Sequence, residues 1–320
     1  MGKVDHTSED NKVTFLFLII TTIMLITSYF LFPYEHSPTI EEEHVFKPVH
    51  ILIVISIACL GAGYFTDRNA IGKKLKISGW MIFGFFWSTQ PSTLYHSEQG
   101  DIFNAVLCVI GVYALFYFAY HEWLSLERKE QNKTLNWIAG AACLAAAIYY
   151  GVEKTPLALW LRQVVADQSA WLLHIITGEE VLVGGVDNLH IFYKTSHLYL
   201  IFACTAVQAM VIFVGILVPL QSVSIKRRIY GLLITLIPVY ILNLLRNTMI
   251  SFLVGNEITD FTTAHNYVAK AGSMITLIVL LLILIKIVPE VFEEINNLID
   301  LSKRKGPIEN FFGKYIWRKK

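Results

Sequence analysis

The sequence predicts an all-α polytopic membrane protein, a transmembrane helical bundle of about eight spans. Apolar residues make up 55% of the 320 residues and charged residues only 16%, whereas soluble domains have about 25% charged residues. The apolar residues fall into runs of roughly twenty, the length that crosses a hydrocarbon core of about 30 Å as a helix. Because that core holds almost no water, the backbone must satisfy its own hydrogen bonds, which favours helices.

Eight apolar runs are the candidate spans. The third is short and rich in Trp and Phe. The first has no small-residue cleavage site after it, so we expect a retained span and not a removed signal peptide. The eight runs cover residues 13–32, 49–65, 77–90, 102–120, 135–150, 198–218, 229–253 and 264–288.

The charges of the connecting segments predict the orientation. Arg and Lys concentrate in residues 66–76, 121–134 and 221–228 and in the C-terminal tail, whereas residues 91–101 contain neither. Cytoplasmic loops carry the excess of Lys and Arg. Strict alternation over eight spans therefore predicts that both termini lie in the cytoplasm of a multi-pass cell-membrane protein.

The segment 151–197 is long for a connection within a bundle. Thr155 and Pro156 are typical of an N-cap and first helical turn. Apolar residues then recur at helical spacing up to Thr177 and Gly178, which predicts an amphipathic helix on the membrane or against the bundle. Residues 180–183 and 189–193, separated by Gly184, Gly185 and residues 186–188 (Val-Asp-Asn), predict a possible small hairpin.

These features predict four regions along the chain. They are an N-terminal five-span region (1–150), an extracytoplasmic helix and hairpin segment (151–197), a catalytic three-span core (198–288) and a basic cytoplasmic tail (289–320). The amphipathic composition of the tail is typical of an interfacial anchor.

Arg246 lies inside the seventh apolar run. An arginine at mid-bilayer costs at least about 2.5–3.5 kcal/mol, so an intramembrane charge is a functional candidate. The alternative is an arginine that reaches the outer interface or bridges two helices. Asn243, three residues earlier, shares its helical face.

Cys204 lies about six residues from the outer start of the sixth run, and Arg246 about seven from the outer end of the seventh. At a rise of 1.5 Å per residue the two are roughly 9 and 10 Å deep. A thiol is a poor nucleophile in apolar surroundings, and a neighbouring cation favours the thiolate. The other cysteines, Cys59, Cys108 and Cys143, are interpreted as packing residues without a disulfide framework.

His265 lies at the outward end of the last run, where it can act as a general acid or base near neutral pH. The nearby polar residues Thr205, Gln208, Asn243 and Asn247 are candidates for substrate binding, although Gln208 also suits an interhelical hydrogen bond. His190 and His197 have no metal-ligand spacing with Cys204 or His265. No metal, cofactor or nucleic-acid partner is predicted.

Three segments resemble the archaeosortase/exosortase family of membrane cysteine enzymes. They are 202–208 (Phe-Ala-Cys-Thr-Ala-Val-Gln), 242–247 (Leu-Asn-Leu-Leu-Arg-Asn) and 264–266 (Ala-His-Asn), in the order that the family has. The archaeal branch usually reads Ala-Cys-Thr-Gly at the cysteine. Here Ala206 replaces that glycine, and Ala209 stands where a small hydroxyl residue is common.

The resemblance covers roughly residues 150–290 and implies a membrane cysteine protease or transpeptidase. Its substrates would be exported proteins that end in a short motif, a transmembrane helix and a basic cluster. Cys204 would be the nucleophile, Arg246 would stabilise the thiolate or oxyanion, and His265 would transfer protons on the extracytoplasmic side. A phospholipid amine among the membrane lipids would be the acceptor.

Two other functions are compatible with the sequence. In a transporter or channel, Arg246 would be an intramembrane binding or gating charge, but polar residues become fewer below Cys204 and Arg246. In a non-catalytic scaffold for membrane proteins, Cys204 would be dispensable.

Overall fold

The computed structural model describes residues 6–32, 49–96 and 101–315. Two compact units divide the chain. The first comprises Met1–Gly140 and Glu293–Lys320, and the second comprises Ala141–Phe292. The divisions fall within helices α6 (Lys133–Glu153) and α11 (Pro289–Ile299).

Helices make up the first unit. Besides its parts of α6 and α11, it contains α1 (His6–Leu31), α2 (His50–Phe65), α3 (Ala70–Ser88), α4 (Gln90–His96), α5 (Ile102–Glu127), a 3₁₀ turn (Asp300–Lys303) and α12 (Pro307–Tyr315).

Helices α2 and α3 approach each other closely because α3 carries a glycine at the contact. A Cβ on Gly79 would lie 2.8 Å from Leu60 Cγ, and Ser56 Oγ donates to the Gly79 carbonyl at 2.9 Å. At the start of α3, the buried Lys76 pairs with the buried Glu122 of α5 at 2.8 Å. Each charge needs the other, since an isolated buried charge is costly.

The C-terminal tail packs on α1 and α5. Ile308 lies in an apolar cluster with Tyr120 and Leu124. Glu309 accepts hydrogen bonds from Tyr117 Oη at 2.7 Å and Tyr120 Oη at 2.9 Å. The tail is therefore held by specific protein contacts in addition to the amphipathic pattern that the sequence shows.

The second unit begins with α7 (Pro156–Thr177), which confirms the predicted amphipathic helix. Gly178 ends it with φ +68°, a left-handed conformation that glycine adopts freely. Small residues such as Ala158 and Ala166 face the interior, whereas Trp160 and Trp171 are more than half exposed. The apolar stripe seen in the sequence is thus the outward face of α7.

A three-stranded antiparallel sheet follows, with strand order β1-β2-β3. The strands are β1 (Leu182–Gly184), β2 (His190–Tyr193) and β3 (Ser196–Tyr199). The first two strands confirm the predicted hairpin, which closes through a 3₁₀ turn (Val186–Asn188). The third strand was not predicted, because it lies within the sixth apolar run.

The rest of the second unit is helical. A 3₁₀ turn (Phe202–Thr205) leads into α8 (Val207–Leu217), which is followed by α9 (Ile225–Gly255), a π-helical segment (Thr263–Ala269) and α10 (Lys270–Ile287). Residues of α7, the sheet, α9 and the π-helical segment share one buried core cluster that contains Cys204.

The all-α membrane bundle is confirmed, but the count of eight spans is not. Within the described ranges, five helical segments are long and apolar enough to cross a membrane: Asp10–Leu31, Ile102–Glu127, Lys133–Glu153, Ile225–Gly255 and Thr263–Ile287. The second and sixth candidates form shorter apolar helices, α2 and α8. The third lies in α3, which includes Lys73 and Lys76.

The prediction of a continuous helix over 198–218 is wrong in its first half. There the chain completes β3, runs through the 3₁₀ turn and starts α8 only at Val207. A short, fully apolar run does not distinguish a buried strand from a buried helix. Cys204 therefore lies before the short apolar helix α8 and not one turn or two inside a helix.

Candidate active site

Cys204 lies in the 3₁₀ turn between β3 and α8. Its side chain is 8% exposed. Within the turn, Cys204 N–H donates to the Ile201 carbonyl at 2.9 Å, and the buried Thr205 Oγ donates to the Phe202 carbonyl at 2.7 Å. Thr205, a predicted substrate contact, thus stabilises the turn that carries the cysteine.

Ala206 explains how the chain turns from the cysteine into α8. Its φ of +68° and ψ of −9° are left-handed, a conformation that costs an L-residue roughly 1–2 kcal/mol and glycine very little. Its carbonyl accepts from the N–H groups of Ala209 and Met210, both at 3.0 Å, which starts the helix. The position thus favours glycine, the residue that the family resemblance leads one to expect there.

Ala206→Gly should stabilise the protein by about 1 kcal/mol, because glycine relieves the left-handed strain at a smaller entropic cost. Thermal unfolding of the purified protein should show a midpoint higher by about 2 °C. Ala209→Gly is the matched control, because Ala209 is helical and the change should destabilise by roughly 0.5–1 kcal/mol. A fall in the midpoint for both variants would contradict the left-handed conformation.

Two asparagines of α9 hold the backbone of the cysteine. The carbonyl oxygen of Cys204 accepts from Asn243 Nδ2 at 2.7 Å and from Asn247 Nδ2 at 3.2 Å. The two amides lie four residues apart, on one face of the helix, and both side chains are buried. They were predicted to bind substrate, and here they fix the Cys204 backbone to the turn of α9 that bears Arg246.

Arg246 contacts His265 across the gap between α9 and the π-helical segment. Its Nη2 donates to His265 Nε2 at 3.2 Å. Since a guanidinium only donates, Nε2 accepts, and a neutral imidazole then carries its proton on Nδ1. Nδ1 lies 3.1 Å from Asn266 Oδ1, an acceptor for that proton. The ring of Phe261 stacks on the imidazole, with centroids 5.3 Å apart.

One N–H group of Arg246, that of Nε, is available to donate to a ligand. Its Nε is buried and has no hydrogen-bond partner within the described residues. Arg246 and Asn243 line a cavity of about 220 Å³ between α9 and α10, next to the start of α8. The other lining residues are mostly small or apolar: Ala206, Ala209, Val239, Leu242, Leu245, Met249, Ala269, Gly272, Ser273, Thr276 and Leu277.

Opposing effects act on the Cys204 thiol, which lies outside the spanning helices. Burial raises its pKa, and the positive charges of Arg246 and Arg162 lower it in part, leaving the pKa above its usual value. The resting group is therefore a thiol, and formation of a thiolate requires transfer of its proton. Arg246 and Arg162 favour the charged product of that transfer.

Some predicted or considered residues lie apart from this cluster. Gln208 is exposed and does not line the cavity. His190 and His197 lie on the sheet, where their rings contact Tyr199 and Phe192 respectively. Among the residues that the structure describes, no group of three His, Cys, Asp or Glu side chains is arranged to hold a metal ion.

Arg162 is the residue that sequence reasoning missed. It lies on the buried face of α7 and is only 5% exposed. The sequence could have identified it, because Arg162 recurs at helical spacing with Ala158, Val165 and Ala166. These residues form the buried face of the helix. A charge on that face points inward, just as Arg246 does in α9.

Comparison with known proteins gives a consistent result. The model of the family described as transmembrane exosortase (Exosortase_EpsH) matches residues 49–285. The chain is similar to Archaeosortase A of Haloferax volcanii, with 24% identity over 224 residues, covering 64% of this chain and 71% of the relative. It is also similar to Archaeosortase A of Natronomonas pharaonis, with 25% identity over 233 residues, 68% of this chain and 71% of the relative. No solved structure matches.

Proposed function

The chain belongs to the transmembrane exosortase family, and we propose that it is a membrane cysteine transpeptidase. It cleaves the C-terminal sorting signals of exported surface proteins, which consist of a short motif, a transmembrane helix and a basic cluster. It then transfers the new carboxyl terminus to an amine on a phospholipid head group. The active site faces the extracytoplasmic side, and both termini lie in the cytoplasm. The name shared by the two curated relatives, Archaeosortase A, supports the sorting function.

One observation carries the enzymatic interpretation. A buried cysteine is tied through its carbonyl to the turn of α9 that bears Arg246, a cavity-lining residue whose buried Nε N–H has no acceptor among the described residues. A donor of this kind suits a negative charge that develops only during reaction. In folded proteins the large majority of buried N–H groups have a partner, so an unsatisfied one on an arginine beside a cavity favours a functional role.

In the first step, Cys204 Sγ attacks the scissile carbonyl of the substrate and forms an S–C bond. The carbonyl oxygen becomes an oxyanion that accepts from Arg246 Nε. The C–N bond then breaks, and the thiol proton leaves with the amine of the transmembrane fragment. The product is an acyl-thioester on Cys204.

In the second step, a lipid amine attacks the thioester. A C–N bond forms, the S–C bond breaks, and the proton lost by the amine returns to the Cys204 thiolate. The substrate thus leaves as an amide of the lipid. Water in place of the amine would give hydrolysis with the same proton balance.

His265 moves protons between these groups. As a neutral imidazole it orients Arg246 through Nε2 in the resting site. When Arg246 turns its N–H groups to the oxyanion, Nε2 becomes available to accept the thiol proton and to pass it to the leaving amine. Its contact with Asn266 fixes the ring during the exchange.

The thioester is directly testable. Purified protein in detergent, mixed with a tagged substrate and no amine, should form a covalent adduct that hydroxylamine cleaves to a hydroxamate of the substrate. Mass spectrometry of the digested adduct should locate the substrate on the peptide that contains Cys204. Product formation without any such adduct, or an adduct on another residue, would refute a Cys204 thioester.

A further inference from the structure

Arg162 anchors the end of the strand that leads to the nucleophile. Its Nε donates to the Leu200 carbonyl at 3.0 Å, and its Nη2 donates to Tyr199 Oη at 2.8 Å. The guanidinium carbon also lies 5.6 Å from the centroid of the Tyr199 ring. Leu200 N–H makes the last contact of the sheet, to the Leu189 carbonyl at 2.9 Å. The chain from there to Cys204 is only four residues long.

Burial of this arginine has an energetic cost, which suggests that the side chain has a role that an apolar residue could not fill. Removing a guanidinium from water costs several kcal/mol, and the hydrogen bonds to the Leu200 carbonyl and Tyr199 Oη offset part of that cost. A methionine of similar volume would fill the same space on α7 without that cost. The charge is instead kept on the buried face of α7, in contact with the Leu200 carbonyl.

Charged and titratable groups approach Cys204 from several elements. Arg162 comes from α7 and Arg246 from α9, and both interact electrostatically with its thiol. Tyr149 of α6 also interacts with Cys204, and His265 lies beyond Arg246. The two arginines belong to different helices, one before Cys204 in the sequence and one after it.

We propose that Arg162 is a positioning residue for the nucleophile: it fixes the 199–200 strand end that sets Cys204 in place and provides a second positive charge for the thiolate. This inference rests on the proposed function in so far as Cys204 is the nucleophile. Arg246, which borders the cavity, contacts the substrate, whereas Arg162 acts only through Cys204.

The reactivity of the thiol measures this role without any substrate. Iodoacetamide labelling of Cys204 is followed against pH in full-length protein whose Cys59, Cys108 and Cys143 are replaced by alanine. In Arg162→Gln the midpoint of the labelling profile should shift to higher pH, and the rate at neutral pH should fall several-fold. At the high-pH plateau all thiols are ionised, so the labelling rate there depends only on access to Cys204. The midpoint of the profile depends on the protonation of the thiol.

Conservative and control variants complete the test. Arg162→Lys keeps the charge, so its labelling midpoint should return most of the way to that of the parent. It loses the two hydrogen bonds to residues 199 and 200, so kcat should stay low with KM unchanged. Asp167→Asn, a change at an exposed position on α7, should match the parent in every measurement. A folded Arg162→Gln protein with the parent midpoint and kcat would overturn the proposal, and so would a midpoint in Arg162→Lys as high as that of Arg162→Gln.

The outcome is separable from that of the proposed function. If Cys204 is dispensable for processing, the transpeptidase proposal fails although Arg162 still shifts the labelling midpoint. If Cys204 is essential and the midpoint does not move, the role of Arg162 fails and the transpeptidase proposal stands.

Discussion

Cys204→Ala should abolish cleavage of a co-expressed substrate that carries a C-terminal tag, while the protein still inserts into the membrane. Removal of a nucleophile lowers turnover by about 10⁴-fold or more, because the remaining groups cannot form the covalent intermediate. The substrate should accumulate at its full length in immunoblots. Alanine fits the site, since the contacts that hold residue 204 in place come from its backbone.

The matched control for this change is Cys143→Ala. Cys143 lies in α6, also in the second unit, and is only partly buried, so its loss should leave cleavage unchanged. Cys204→Ser should be nearly as inactive as alanine, because a serine hydroxyl is far less acidic and less nucleophilic than a cysteine thiol. Normal processing by Cys204→Ala would end the enzyme hypothesis and leave the scaffold function open.

The long helices could be predicted because their signal is simple. A run of about twenty apolar residues has few alternatives in a membrane, and five of the predicted spans appear as helices long and apolar enough to cross it. The apolar signal is weaker for the third candidate, because the helix that contains it, α3, also carries Lys76. This lysine is buried in an ion pair with Glu122. A tertiary contact, and not the local composition, determines where such a lysine lies.

The setting of Cys204 could not be predicted from hydropathy. Strand, 3₁₀ turn and helix follow one another inside a single apolar run, and nothing in the composition marks the change at Ala206. The estimate that Cys204 and Arg246 lie at similar depth assumed a helix around the cysteine. The contacts of Asn243 and Asn247 with the Cys204 carbonyl now link the two residues without that assumption.

Arg162 was missed because the apolar face of α7 is the exposed one. In a soluble protein the large apolar residues of an amphipathic helix mark the core face, but the sequence left open whether the face with Trp160 and Trp171 meets the membrane or the bundle. In a membrane protein the outward face also meets an apolar or interfacial environment. The small residues around Ala166 identify the packed face here, and Arg162 belongs to it.

Arg246→Lys should lower kcat by about 10²–10³-fold while KM changes little. The loss of one donor to a developing oxyanion typically has an effect of this size. Lysine keeps the positive charge, and therefore the general electrostatic attraction for substrate, but it lacks the planar fork of donors. In this site the fork reaches His265 through Nη2, while Nε has no acceptor among the described residues. A single ammonium cannot occupy both positions.

Steady-state kinetics on a tagged peptide substrate in proteoliposomes distinguish this role from structural ones. Arg228→Lys is the matched control, because Arg228 lies on the same helix and donates to the carbonyls of Val218 and Val223, away from the cavity; its kcat should match that of the parent. A change confined to KM would make Arg246 a substrate-binding charge. Unchanged kcat in folded Arg246→Lys would show that any cation suffices, and the oxyanion role derived from the free Nε would then be wrong.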